Sequence, residues 1–212
     1  SVPTGNFGDV YAGYIAKQMG LPIDQLVVAT NVNDILSRTI NGGEYKVGET
    51  IPTISPSMDI QVSSNFERLL FNIHDSDGAE IRNLMENLKQ SGLFKITDGP
   101  LNEVKETFDA MRVSEEDTKA TIAEVYKSGG HMIDPHTAVG VKAARDNWHD
   151  KSVPMVSLST AHPAKFPEAV KEVTGKHPEL PAHMADLFER EEKFDVLPND
   201  IEVLKKYILE NL

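Results

Sequence analysis

Apolar residues along the first forty positions fall into two alternating rhythms. In DVYAGYIAKQMG, Val10, Tyr14 or Ile15 and Met19 recur at near-helical spacing, and Gly20 with Pro22 supplies a stop. QLVVAT is a short β-branched run bounded by turn residues, the pattern of a buried strand. NDILSRTI then resumes a helical spacing behind an Asn/Asp cap. A polar, Gly-rich connection leads through TISPSMDI to SSNFERLLFNIHD, where Ser64 and Glu67 have the spacing of a capping box and predict another helix.

The middle third reads as mostly helical. Ile81, Leu84, Met85 and Leu88 recur every three or four residues, and Ser114 with Asp117 is placed to cap a helix through Ile122 and Val125. Its many charges read as solvated surface. From HMIDPHTAVGVKAARDN onward the alternation returns: a short apolar stretch, a Pro/His/Thr turn and a helix through Val141 and Ala144. PMVSLST is expected as a strand, AHPAKFPEAVKEVTG as loop and helix, and FDVLPNDIEVLKKYILENL as a brief strand and a helix capped by Asn199 or Asp200. Strands alternating with helices predict an α/β fold, a mostly parallel sheet with helices on both faces. Residues 1–212 are read as a single α/β domain.

Composition narrows the function classes. The chain is 40% hydrophobic and 25% charged, enough apolar material for a real core. A net charge of −12 opposes encounter with nucleic acid or an anionic membrane, so neither is expected as a partner and any anionic ligand must be held locally. No apolar run approaches the length of a membrane span, and no secretory signal is present. Cysteine is absent, which removes disulfides, thiolate catalysis and cysteine-ligated zinc, and fits a reducing, cytoplasmic setting.

The chemistry begins at SVPTGNFGDV. Two glycines three apart, just before a helix, let backbone amides converge on the positive end of that helix without Cβ obstruction. This can hold a phosphate without Lys or Arg, although a plain glycine turn into a helix has the same pattern. No Gly-Lys-Ser/Thr follows, so it is not a P-loop, and the G-x-G spacing of dinucleotide sites is missing. Only three residues precede Thr4, fewer than a typical strand, so the chain is expected to be the later part of a longer protein. ATNVND, IDPHTAVG and LSTAHPAKF fall where strands are expected to end. Asn31, Asn33, Asp34, His136, Thr137, Ser159, Thr160 and His162 are therefore candidates to line one cleft. His131 and His136 lack the spacing of a helical zinc pair, and no metal site is expected.

VPTGNFGDVYAGY, SPSMDIQVSSNFERLLF, DPHTAVGVKAA and STAHPAKF, in this order across essentially the whole chain, resemble the C-terminal half of the threonine synthase family. That family belongs to the tryptophan-synthase-β-like (fold type II) pyridoxal-phosphate enzymes. The resemblance implies the large, three-layer αβα domain of such an enzyme, truncated at its N-terminus. It implies a lyase of threonine biosynthesis that converts O-phospho-L-homoserine and water to L-threonine and phosphate. Gly5, Asn6, Phe7, Gly8 and Asp9 would form the cup for the cofactor phosphate, and Thr160 would hydrogen-bond the pyridine nitrogen. Asn33, His136 and Ser159 stand behind them as cleft-lining residues, and Arg68 is assigned to an ion pair.

The family's Schiff-base lysine lies in a Ser-x-Lys-Asp-like motif upstream of the phosphate loop. None of the fifteen lysines here, Lys17 and Lys165 included, has that context. The resemblance therefore implies that the catalytic lysine and the small domain belong to a missing N-terminal half, and that this chain is inactive alone. Two other readings remain open at this point: a phospho-lyase acting on a related phosphorylated amino acid, and a non-catalytic module using the cup for phosphate or a partner.

Overall fold

A computed structural model describes residues 1–212. In chain order the regular elements are β1 (Val2–Pro3), α1 (Gly8–Gln18), β2 (Leu26–Thr30), α2 (Ile35–Gly42), β3 (Glu44–Lys46), α3 (Phe66–Ile73), α4 (Gly78–Ser91), β4 (Leu93–Lys95), α5 (Asp98–Thr107), β5 (Phe108–Arg112), α6 (Glu115–Gly129), α7 (Pro135–Asp146), α8 (Pro167–Thr174) and α9 (Ile201–Glu210). Two compact units are formed, Ser1–Pro178 and Glu179–Leu212. No helix is long and apolar enough to cross a membrane.

The first unit is built on a parallel sheet in the order β1-β2-β5, with Val2 opposite Val28 and Val28 opposite Ala110. All five residues of β2 are buried, as a strand covered on both faces requires. Its side chains alternate between two cores. Leu26 and Val28 join Phe7, Val10 and Tyr14 beside α1, and Phe66, Leu69 and Leu70 of α3. Val27 and Ala29 meet Val139 and Ala143 of α7 on the opposite face. Helix, sheet and helix thus form the three layers of the expected α/β fold.

Several sequence expectations are corrected. The middle third is not simply helical: β5 completes the parallel sheet, and β4 pairs antiparallel with β3, a strand inside the connection read as polar loop. In FDAMR only Phe108 is buried, so burial on one edge, and not β-branched patterning, makes that strand. PMVSLST is not a regular strand. The Ser1 N–H donates to Val156 O at 2.7 Å and Leu158 N–H donates to Ser1 O at 3.0 Å, one parallel bridge that sets Ser157 opposite Ser1. The next rung on that side would need the N–H of Pro3, and proline has none. No strand forms before α7 or at FDVLP.

Caps follow the sequence in part. Ser114 accepts from Asp117 N–H at 3.0 Å, and Asp134 caps α7 with Pro135 at its first position. Asp200 accepts from the amides of Glu202 and Val203 to start α9 in the second unit. Ser64 does not cap α3; the N-terminal residue there is Asn65, whose helical φ of −86° and ψ of −4° leave its side chain without a capping bond. Asp34 sits at the start of α2 but gives its carboxylate to Arg38 Nε at 2.8 Å.

Candidate functional site

The glycine loop leaves β1 and enters α1 within four residues. Thr4 N–H donates to Ala29 O at 2.8 Å, and its hydroxyl donates to Val2 O at 2.7 Å, closing the turn. Phe7 follows in the left-handed region with φ 67°, an uncommon conformation for a residue with a Cβ. Its ring is 1% exposed and packs edge-on against Phe66 at 5.1 Å and against Phe108 at 5.7 Å. The buried ring holds the backbone in this conformation, at a cost of roughly 1–3 kcal/mol that the packing offsets.

Above that anchor lies a cavity of about 220 Å³, lined by Pro3 through Val10 and by Asn65. The backbone N–H groups of Gly5, Asn6, Phe7, Gly8, Asp9 and Val10 donate to no acceptor in the protein; the first helical bond runs from Tyr11 N–H to Phe7 O. Six donors therefore cluster at the positive end of an eleven-residue helix. Asn6, Gly8 and Asp9 are exposed, so the cup opens to solvent.

The two glycines do different things. A Cβ on Gly5 would stand 2.7 Å from the carbonyl oxygen of Ser57, so this position is closed by the protein itself. A Cβ on Gly8 would meet only Asn65 Nδ2, at an ordinary 3.6 Å, so the space beside it is free of protein. A tetrahedral oxyanion with no need of a cationic side chain fits a cup of this kind, and the residues present are suited to a cofactor phosphate.

The segment 63–65 fastens the loop from outside. Ser63 Oγ donates to Gly5 O at 2.9 Å, Asn65 N–H donates to Asn6 O at 3.1 Å, and the Ser64 hydroxyl donates to Asn6 Oδ1 at 3.4 Å. Two of the words that carried the family resemblance are thus bonded to one another.

A second pair of words meets at the start of α7. His136 Nε2 accepts the N–H of Ser57 at 3.2 Å, which fixes the proton on Nδ1, and Nδ1 donates to Asp134 Oδ1 at 2.8 Å. Asp134 also accepts from His136 N–H at 2.9 Å and from the Thr137 hydroxyl, whose oxygen lies 3.3 Å from Ser159 Oγ. Burial pushes the Asp134 carboxyl up, but the hydrogen bonds from His136 and Thr137 outweigh it and hold the group below its ordinary value. His136 also packs on Phe166 with ring centroids 4.6 Å apart. Through Ser57, whose carbonyl oxygen leaves no room for a Cβ at Gly5, this network borders the glycine loop.

Asn31 and Asn33 are engaged elsewhere. Asn33 donates to Ile51 O at 2.8 Å and to Asp59 Oδ1 at 3.0 Å, and accepts from Ile51 N–H at 2.8 Å. Asn31 donates to Asp59 Oδ1 at 2.8 Å and to Ser55 Oγ at 2.9 Å. Both are buried and tie the 51–59 loop to the end of β2. Ser159 and Thr160 are exposed. Thr160 lies three residues beyond Ser157, as Thr4 lies three beyond Ser1, and makes no hydrogen bond within the chain. His162 Nδ1 accepts from Ala164 N–H at 3.2 Å and serves the short turn that follows.

Arg68 forms no ion pair, contrary to expectation; its guanidinium lies 5.9 Å from the centre of the Tyr11 ring. Lys17 donates to the carbonyls of Ile23 and Asp24. Lys165 lies 5.9 Å from the Phe166 ring centre. The site residues that sequence reasoning passed over are Ser57, Asn65 and Asp134. Asp134 was detectable as Asp-Pro at a helix start, whereas nothing local marks the other two.

Known proteins resemble this chain in both sequence and fold. The family model described as "Threonine synthase, C-terminal" matches residues 137–208. Threonine synthase of Pseudomonas aeruginosa is 54% identical over 98% of this chain and 45% of its own length, and that of Saccharomyces cerevisiae 41% identical over 100% and 46%. The crystal structure of pyridoxal-phosphate-bound threonine synthase from Brucella melitensis superposes with a TM-score of 0.91 at 53% identity, covering 99% of this chain and 45% of that one. The yeast threonine synthase structure gives a TM-score of 0.86 at 38% identity over 99% of this chain. The chain spans less than half the length of these relatives, and corresponds to their C-terminal part.

Proposed function

We propose that this chain, which belongs to the threonine synthase family, supplies the cofactor-phosphate and pyridine side of a pyridoxal-phosphate site. The observation that carries the reading is the cup of six unpaired amides at the head of α1, with the Gly8 side open. Backbone N–H groups of Gly5, Asn6, Phe7, Gly8 and Asp9 hold the phosphate. The helix-end field adds roughly 0.3–1 kcal/mol if the site is exposed and up to about 2 if it is partly buried. Thr160 offers a hydroxyl to the pyridine nitrogen; a neutral partner there leaves that nitrogen without the proton a carboxylate would stabilise. Asn33, His136 and Ser159 stand behind these positions, Asn33 and His136 through the loops they fasten.

In the whole enzyme the activity is conversion of O-phospho-L-homoserine and water to L-threonine and phosphate, in the cytoplasm, as a step of amino-acid biosynthesis. When bound, pyridoxal phosphate supplies the electron sink for that chemistry, and the protein orients it and excludes side reactions. The lysine that anchors the cofactor covalently, and the substrate-phosphate site, come from an N-terminal half. Without them this chain turns nothing over.

Pyridoxamine phosphate tests the binding role, because it cannot react with surface lysines. The chain should bind it, inorganic phosphate should compete, and unphosphorylated pyridoxamine should not bind. Equal binding of both pyridoxamines, or of neither, overturns the reading. Threonine made from O-phosphohomoserine by a homogeneous sample of the 212-residue chain with pyridoxal phosphate would overturn the inactive-alone assignment.

A further inference from the structure

We infer that Asn65 is a side-chain ligand of the anion held by the glycine cup, and that it selects for the phosphorylated form of whatever binds there; this rests on the proposed phosphate site. Every other residue lining the cavity belongs to the continuous run Pro3–Val10, so Asn65 is the one wall contributed by a different element. Its position invites a structural explanation, since Asn at a helix N-terminus commonly caps it. Here the backbone of Asn65 is already helical, and its carboxamide caps nothing. Its main chain is occupied, with N–H donating to Asn6 O and C=O accepting from Arg68 N–H. Neither end of its side chain has a protein partner. The amide nitrogen faces the open side of Gly8, 3.6 Å from where a Cβ would stand.

A half-buried carboxamide held rigidly by its own main chain, and spending no hydrogen bond on the fold, is pre-oriented to donate to a ligand oxygen. The rest of the lining offers backbone donors and, from the loop itself, the Asn6 carboxamide, whose oxygen is already turned to Ser64. Asn65 adds a second direction of approach, across the cup from α1, and so favours a group with several oxygens over a monodentate one. It also explains why the 63–65 segment is bonded to the loop at three points: those bonds fix the distance between this donor and the six amides.

Asn65→Ala and Asn65→Asp test this by calorimetric titration of the 212-residue chain with pyridoxamine phosphate and with inorganic phosphate. Loss of one hydrogen bond to a charged oxygen should weaken both ligands by about tenfold to a hundredfold. Asn65→Asp, which replaces the donor by a negative acceptor, should abolish measurable binding. The melting temperature should stay unchanged in Asn65→Ala and unchanged or higher in Asn65→Asp, because no protein bond is lost and Asp is favourable at a helix start. Parental affinity in Asn65→Ala, while the parent binds and Gly8→Ala weakens it, overturns the assignment of Asn65 and leaves the cup standing. Destabilisation of Asn65→Ala matching its affinity loss would show a structural residue and overturn it as well. A parent that binds neither ligand overturns the cup, and Asn65 with it.

Discussion

The carbonyl oxygen of Ser57 stands 2.7 Å from where a methyl group on Gly5 would lie. Gly5→Ala must therefore displace a backbone oxygen that His136 holds from the other side of the same residue, through Ser57 N–H. The cost should be about 1–3 kcal/mol, seen as a lower urea midpoint. An unchanged midpoint would mean that the 55–58 turn is not pinned.

Gly8→Ala should behave oppositely. Its methyl group meets no protein atom closer than 3.6 Å, so stability should stay level or rise by up to about 1 kcal/mol. Pyridoxamine phosphate affinity should nevertheless fall at least tenfold, because the methyl group occupies the ligand's approach. Parallel melting and titration curves decide it; retained affinity would remove Gly8 from the cup.

Asp134 sets an acid limit on stability. Its folded carboxyl titrates below the ordinary value of 3.8. The stabilisation is therefore complete above about pH 4 and is lost as pH falls through the lower folded value. Urea midpoints measured from pH 6 to pH 2.5 should fall less steeply at the acid end in Asp134→Asn than in the parent. At pH 7 the variant should be less stable, because an amide cannot accept all the bonds that the carboxylate accepts from His136 and Thr137.

Asn33→Ala should cost about 0.5–1.5 kcal/mol for each hydrogen bond lost, here those to Ile51 N–H and Ile51 O, whose freed groups can reach water, without any ligand present. Arg68→Ala supplies the contrast. The side chain is exposed, forms no ion pair and has only a long contact with the Tyr11 ring, so its removal should change stability by no more than about 1 kcal/mol.

The readable parts of this fold are those where one local rule decides. LVVAT reads as a buried strand because both faces of β2 are covered, and Ser114 and Asp200 announce their helices because a short polar side chain there has orphan amides to satisfy. The glycine loop was visible as a candidate cup because its chemistry is all backbone. The elements that the sequence concealed depend on distant partners. FDAMR is a strand only because β2 offers it an edge, and PMVSLST fails to become one because Pro3 withholds a rung. Ser64 turns away from helix capping towards Asn6, and Asn65 lines the cavity only because its neighbours dock on the loop. No spacing within the chain encodes a contact between residues 5 and 57.

Phe7 gives the proposed anion cup a foundation on the side away from its opening. Because its ring is wedged between Phe66 and Phe108, the direction in which the neighbouring amides point is governed from the hydrophobic interior. Trimming Phe108, on a strand that never reaches the cavity, should tilt the loop and loosen its grip on an oxyanion. Residues under the floor of a binding site can thus tune it as surely as those on its walls.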